Sequence, residues 1–179
     1  MKRLTLALVS IGTALLATQP AGAQSQSLGR PAALGAIEAR LLAAHNRERA
    51  LAGVPALRWD PALAAAAASY GPALAALGRL QHSPRAGRPT QSENLWMGPR
   101  GYYTPEQMVG SWIAEKADFR PGVFPDVSRT GNWLDVSHYT QLIWRGTTQV
   151  GCAVHSDRRT QYLICRYSPK GNRDGQRVP

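Results

Sequence analysis

The sequence predicts an α+β domain in which one sheet is layered between helices, and three observations carry that prediction. Through the first two-thirds of the chain apolar residues recur at steps of three and four, the period of a helix. The last third holds two strand-like runs, Thr148 to His155 and Gln161 to Tyr167, around a polar turn at Asp157. The 179 residues leave 156 once an export leader is set aside, the size of a single domain with a core of its own.

The leader is read from Lys2 and Arg3, the apolar run Leu4 to Ala17, and the small residues Ala21-Gly22-Ala23. Residues 1–23 are expected to leave as a signal peptide, and 24–179 to form one domain with its core at about 31–172 and a flexible C-terminal tail. Beyond residue 23 no apolar run is long enough to cross a bilayer. The Ala-rich stretch Pro61 to Leu77 comes closest, and Ser69, Tyr70, Gly71 and Pro72 interrupt it. A secreted or periplasmic protein is expected. The two cysteines fit that compartment, since Cys152 and Cys165 lie in the two strand-like runs and a bridge between them would pin the hairpin.

The elements follow in order. Pro31 to Ala52 reads as a helix on Leu34, Ile37, Leu41 and His45, with Gly53 as its stop. His45 lies on the apolar face and reads as a satisfied core histidine rather than a ligand. Asp60 caps a second helix that opens on Pro61, which the Gly71-Pro72 pair is expected to kink or split before Gly78. Residues 81–101, rich in Pro and Gly, read as a long loop, either functional or hiding short structure. Thr104-Pro105-Glu106-Gln107 is a capping-box signature for a helix to about Ala117, whose face includes Met108, Trp112 and Glu115. Phe119 to Asn132 reads as connection, His138 to Trp144 as a short helix, and the chain from Ser168 as a tail mobile at its end.

The charge is +10, from 21 Lys+Arg against 11 Asp+Glu, and losing Lys2 and Arg3 brings it to +8. The arginines are scattered, and no basic run with interleaved aromatics marks a nucleic-acid groove. No nucleic-acid partner is expected.

The segment His138-Tyr139-Thr140-Gln141-Leu142-Ile143-Trp144-Arg145-Gly146-Thr147 resembles a signature of the CAP superfamily, which holds the cysteine-rich secretory proteins, antigen 5 and the plant pathogenesis-related class 1 proteins. His45-Asn46-Arg47-Glu48-Arg49, Glu93-Asn94-Leu95 and Ile164-Cys165-Arg166-Tyr167 agree with it in the family's order. The chain resembles a bacterial exported single-domain member. The resemblance implies a three-layer α-β-α sandwich with a central antiparallel sheet, and a cleft whose two histidines and two glutamates match His82, Glu93, Glu115 and His138. His45, Asn46, Asn94, Gln141, Trp144 and Tyr167 match motif positions that hold the fold. Ser92 stands where the family usually has glycine, and Val136-Ser137 where eukaryotic members have Cys-Gly.

Imidazoles with nearby carboxylates suit zinc or a similar divalent ion, weakly held, with His82 and His138 as ligands. The same four residues could instead form a structural cluster of two Glu–His pairs, in a protein-interaction module. The family resemblance also implies a small lipid or sterol as a ligand. A metal- or His-dependent hydrolase is the further alternative, with Ser83, Ser92 and Ser137 beside cleft residues, although neither a Gly-x-Ser-x-Gly elbow nor a His-Glu-x-x-His pair occurs. A non-enzymatic binding protein is the favoured reading.

Overall fold

The structure is a computed structural model that describes residues 34–179. The predicted signal segment lies outside the described residues. Helix α1 (Ala36–Leu51) starts at Gly35, whose N–H donates to the Glu38 carboxylate at 2.8 Å. The helix therefore begins later than its apolar spacing suggests, and Leu34 and Ile37 are exposed while Leu41, Ala44 and His45 are buried.

A two-residue strand β1 (Arg58–Trp59) leads into α2 (Pro61–Leu77), capped as expected by Asp60, whose carboxylate accepts from the N–H groups of Ala62 and Leu63. Contrary to the expected split, α2 is one continuous helix through Pro72. Pro72 and Ala68 both face solvent, where water can take the carbonyl that Pro72 cannot serve. Gly71 faces the sheet instead, and a Cβ there would lie 2.7 Å from Cβ of His155.

The expected loop 81–101 contains a strand, β2 (Ser92–Pro99), paired along its whole length with β5. Helix α3 (Pro105–Ala114) has the predicted capping box, with Gln107 N–H donating to Thr104 Oγ1 and Thr104 N–H to Gln107 Oε1, and runs into a 3-10 turn at Glu115–Ala117. Strand β3 (Gly122–Val123) follows, then a 3-10 turn at Trp133–Val136 and α4 (Ser137–Leu142). The predicted hairpin is β4 (Gln149–Ser156) and β5 (Thr160–Ser168), with Cys152 opposite Cys165 and joined to it by a disulfide. The tail is not loose at its end. Strand β6 (Arg177–Val178) pairs with β3, and Val178 is buried.

The main sheet has the order β1-β4-β5-β2. The pairs β4–β5 and β5–β2 are antiparallel, while β1 adds a short parallel edge at Gln149 and Val150, so the sheet is mixed rather than wholly antiparallel. Alternation along β5 sends Tyr162 and Ile164 to one face, where they pack with Ala67 and Leu74 of α2. Leu163, Cys165 and Tyr167 go to the other, among Leu41, Met108, Trp112, Leu142 and Trp144 from the side of α1, α3 and α4. The result is an α-β-α sandwich.

Candidate functional site

The site lies at the outer edge of β2, the last strand in the sheet order. By alternation Glu93 shares the face of Leu95, toward α2, and Asn94 faces the other layer. A cleft of about 750 Å³ opens there, lined by His82, Glu93 and Asn94 on one side and Ser137, His138 and Gln141 on the other.

Glu93 is fully buried at its side chain and saturated with donors. His82 Nδ1 donates to its Oε1 at 2.8 Å, as does the Ser83 N–H at 3.0 Å, while Ser83 Oγ and Arg166 reach its Oε2 at 3.0 Å. Burial pushes this carboxyl up, but the His82 bond, Arg166, the Ser83 N–H and Arg88 together outweigh it and hold the group below its ordinary value. Glu93 is therefore an anion that fixes the His82 ring.

Glu115 does the same for the second histidine and one thing more. His138 Nδ1 donates to its Oε1 at 2.6 Å, and its Oε2 accepts from the N–H groups of His138 and Tyr139 at 3.0 Å each. The carboxylate therefore caps the start of α4 while it orients the ring. Trp112 stacks on His138 with 6.1 Å between ring centroids and 12° between planes. In both pairs Nδ1 faces a carboxylate, so in the neutral ring the proton sits on Nδ1 and Nε2 carries the lone pair. Neither Nε2 meets a hydrogen-bond partner among the described residues, and the two side chains are 54% and 31% exposed.

Beneath the cleft a polar chain ties the layers. Asn94 Nδ2 donates to the His138 carbonyl and to Tyr167 Oη, Tyr167 Oη donates to His45 Nε2, and His45 Nδ1 donates to the Leu41 carbonyl. His45 is thus a satisfied core residue, and burial lowers its pKa to about 4. Asn46 exchanges two hydrogen bonds with Leu57, and Gln141 Oε1 accepts the Gly171 N–H against buried Trp144. Ser92, at the family's glycine position, accepts a second bond from that N–H.

Among the described residues one trio of His, Cys, Asp or Glu ligand atoms lies mutually within 4.8 Å, His45 with Cys152 and Cys165. It is no metal centre, since the sulfurs are joined to each other and both His45 nitrogens are engaged. Ser83 Oγ is bonded to Glu93, and no serine bonds to a histidine ring among the described residues. The hydrolase reading therefore has no preformed nucleophile–base pair here.

The sequence reading missed two functional contributions. Arg49 is wholly buried and donates to the carbonyls of Pro55, Leu142, Trp144 and Thr147 at 2.7–3.0 Å, joining α1 to the segment behind the cleft. Its place four residues after His45, on the same buried helical face, is the one signal in the sequence that marks it. The capping role of Glu115 left no such signal.

This fold, with paired His and Glu on a cleft at the sheet edge, defines a class of α-β-α sandwich proteins. The chain belongs to the cysteine-rich secretory protein (CAP) family, whose model matches residues 42–167. It is 36% identical over 135 residues to a PR-1 type pathogenesis-related protein of Sambucus nigra, covering 75% of this chain and 77% of that one. It is 33% identical to the secreted protein RBT4 of Candida albicans, over 74% of this chain and 35% of the other. These named relatives are plant and fungal, and they show a PR-1-like protein. Among solved structures, NaASP2 with Zn2+ matches with a TM-score of 0.66 at 22% identity, over 83% of this chain and 88% of that one. BmVAL-1 matches at 0.67 and 22%, over 83% and 84%.

Proposed function

We propose that the chain is an exported binding protein whose cleft holds a divalent cation, zinc first, between Nε2 of His82 and Nε2 of His138. The observation that carries this is the shared geometry of the two rings, each fixed through Nδ1 by a glutamate side chain, with its other nitrogen unpartnered among the described residues and lying on one cleft. The donor set fits such an ion. Among the described residues the cleft side chains form no group of three ligand atoms within 4.8 Å of one another, so water or a guest would complete the coordination, and occupancy would be reversible. A bound cation would supply a Lewis acid to polarise that guest. The zinc in the NaASP2 structure is consistent with this reading.

The test is a calorimetric zinc titration of chelator-treated protein beside the His82→Ala/His138→Ala variant. Saturable one-site binding in the parent, absent from a variant that still melts cooperatively, is the expected result. No saturable heat in the parent would sink the metal reading. The proposal includes removal of residues 1–23 on export, which the intact mass of secreted protein checks: a mature chain not starting at Gln24 rejects that cleavage site.

A second reading rests on a separate groove of about 380 Å³ between α1, α2 and β4, walled by Ile37, Leu41, Ala64, Ala65, Ala68 and Val154. The short alanine side chains leave room there for a small lipid or sterol fragment. Displacement of a fluorescent fatty-acid or sterol probe, abolished by Ala65→Trp, tests it, and an unaltered signal in that variant rejects it.

A further inference from the structure

The rim of the His/Glu cleft carries more positive charge than its own carboxylates answer. Arg85, Arg88, Lys170 and Arg173 line it, against Glu93 and Asp174. Glu93 is already consumed by His82, Ser83, Arg166 and Arg88. Arg88 is spent as well, since its guanidinium bonds Ser83 and reaches the Gln91 carbonyl. Arg85, Lys170 and Arg173 are different. All three are exposed, and among the described residues none of their side chains makes a hydrogen bond or an ion pair. Set against Asp174, they leave the open rim with a charge of about +2.

The segments that carry them are firmly placed. Arg85 opens the 3-10 turn Arg85–Gly87 just after His82. Lys170 and Arg173 flank Gly171 and Asn172, which are tied down on both sides of the cleft: Lys170 N–H donates to the Thr90 carbonyl, and the Asn172 side chain bridges Thr140 and the Ser137 carbonyl. The same cleft has an apolar part, with Trp133 36% and Leu134 57% exposed. At about 750 Å³ it has the size of a small-molecule site.

We propose that this cleft takes a phosphate monoester, its dianionic head held by Arg85, Lys170 and Arg173 and its organic part lying against Trp133 and Leu134. The proposal rests on the reading of the cleft as a binding site and names the guest. A phosphate monoester carries roughly −1.5 to −2 at neutral pH, which balances the rim, and guanidinium groups meet phosphate oxygens in matched pairs of hydrogen bonds. A carboxylate, with a single charge, would leave the rim half-neutralised.

The experiment uses chelator-treated protein at low ionic strength and pH 7.5, with phenyl phosphate, inorganic phosphate and phenylacetate titrated separately by calorimetry. Phenyl phosphate is expected to bind at one site, at least tenfold more tightly than phenylacetate, which lacks the dianion, and more tightly than inorganic phosphate, which lacks the ring. Arg85→Ala/Arg173→Ala should weaken it at least tenfold, and Arg173→Gln alone serves if that double variant fails to melt cooperatively. Arg158→Ala, exposed in the β4–β5 turn and outside the cleft, should change metal-free affinity less than twofold. The proposal is overturned by the absence of saturable metal-free binding, by equal affinity for phenylacetate, or by binding that survives loss of the arginines. Failure of zinc binding with phenyl phosphate binding intact rejects the metal reading alone, and the converse result rejects this one alone.

Discussion

His45 is a buried base whose environment favours its neutral form. The unfolded imidazole takes up a proton near its ordinary value of 6.5 and the folded one only near about 4, so between those values the unfolded chain binds more protons. Its contribution is therefore fully present above the unfolded value, falls as pH drops through the window, and is lost below the folded value. The shift corresponds to about 3 kcal/mol. Melting temperatures from pH 7 to 3.5 should show that loss, and His45→Gln should flatten its share of the slope; an unchanged slope would count against it. Arg49 makes a different demand. Burial lowers its pKa to about 10, so it stays charged at neutral pH and its charge is dispersed over four carbonyls. Lysine cannot reach four acceptors with one ammonium group, and Arg49→Lys is expected to cost roughly 3 kcal/mol in denaturant unfolding.

At the scale of elements, close approach decides more than propensity. Gly151 of β4 lies against the first turn of α2, where a Cβ would collide with the backbone of Asp60 and Ala64. Gly151→Ala is therefore expected to destabilise by about 2–3 kcal/mol, measured by urea unfolding, and a cost below about 0.5 kcal/mol would contradict the rigid seating of that helix. The same sort of contact explains what sequence patterning could reveal. The capped starts of α2 and α3 and the hairpin β4–β5 were legible because their signals are local. Strand β2 was not, since its buried positions include Glu93 and Asn94, whose polar partners come from distant segments. Pro72 looked like a break because a one-dimensional pattern does not say which side of a helix meets water.

The whole molecule is bound by one covalent tie across the centre of its sheet. Reducing Cys152–Cys165, which are 13 residues apart, should cost about 3 kcal/mol in the chain-entropy model and lower Tm by roughly 6–12 °C. Thermal melts with and without reductant check this, and coincident melts after complete reduction would reject it. The PR-1-like assignment and the disulfide fit an extracellular setting, as does the secreted relative. The candidate set His82, Glu93, Glu115 and His138 was legible only through resemblance to the family, because these residues lie on four separate stretches of chain, and Glu115 orients His138 without lining the cleft itself. The positive rim was hidden for the same reason: Arg85, Lys170 and Arg173 span almost ninety positions and read in sequence as scatter. The two imidazoles hang from opposite layers of the sandwich, His82 beside the α2 layer and His138 from α4, with the sheet edge between them. The thickness of the sandwich thus acts as a gauge for the gap. A chain that keeps the layers keeps the gauge, while Arg85, Lys170 and Arg173 stand outside the α-helices and the main sheet, on segments that can vary without disturbing it.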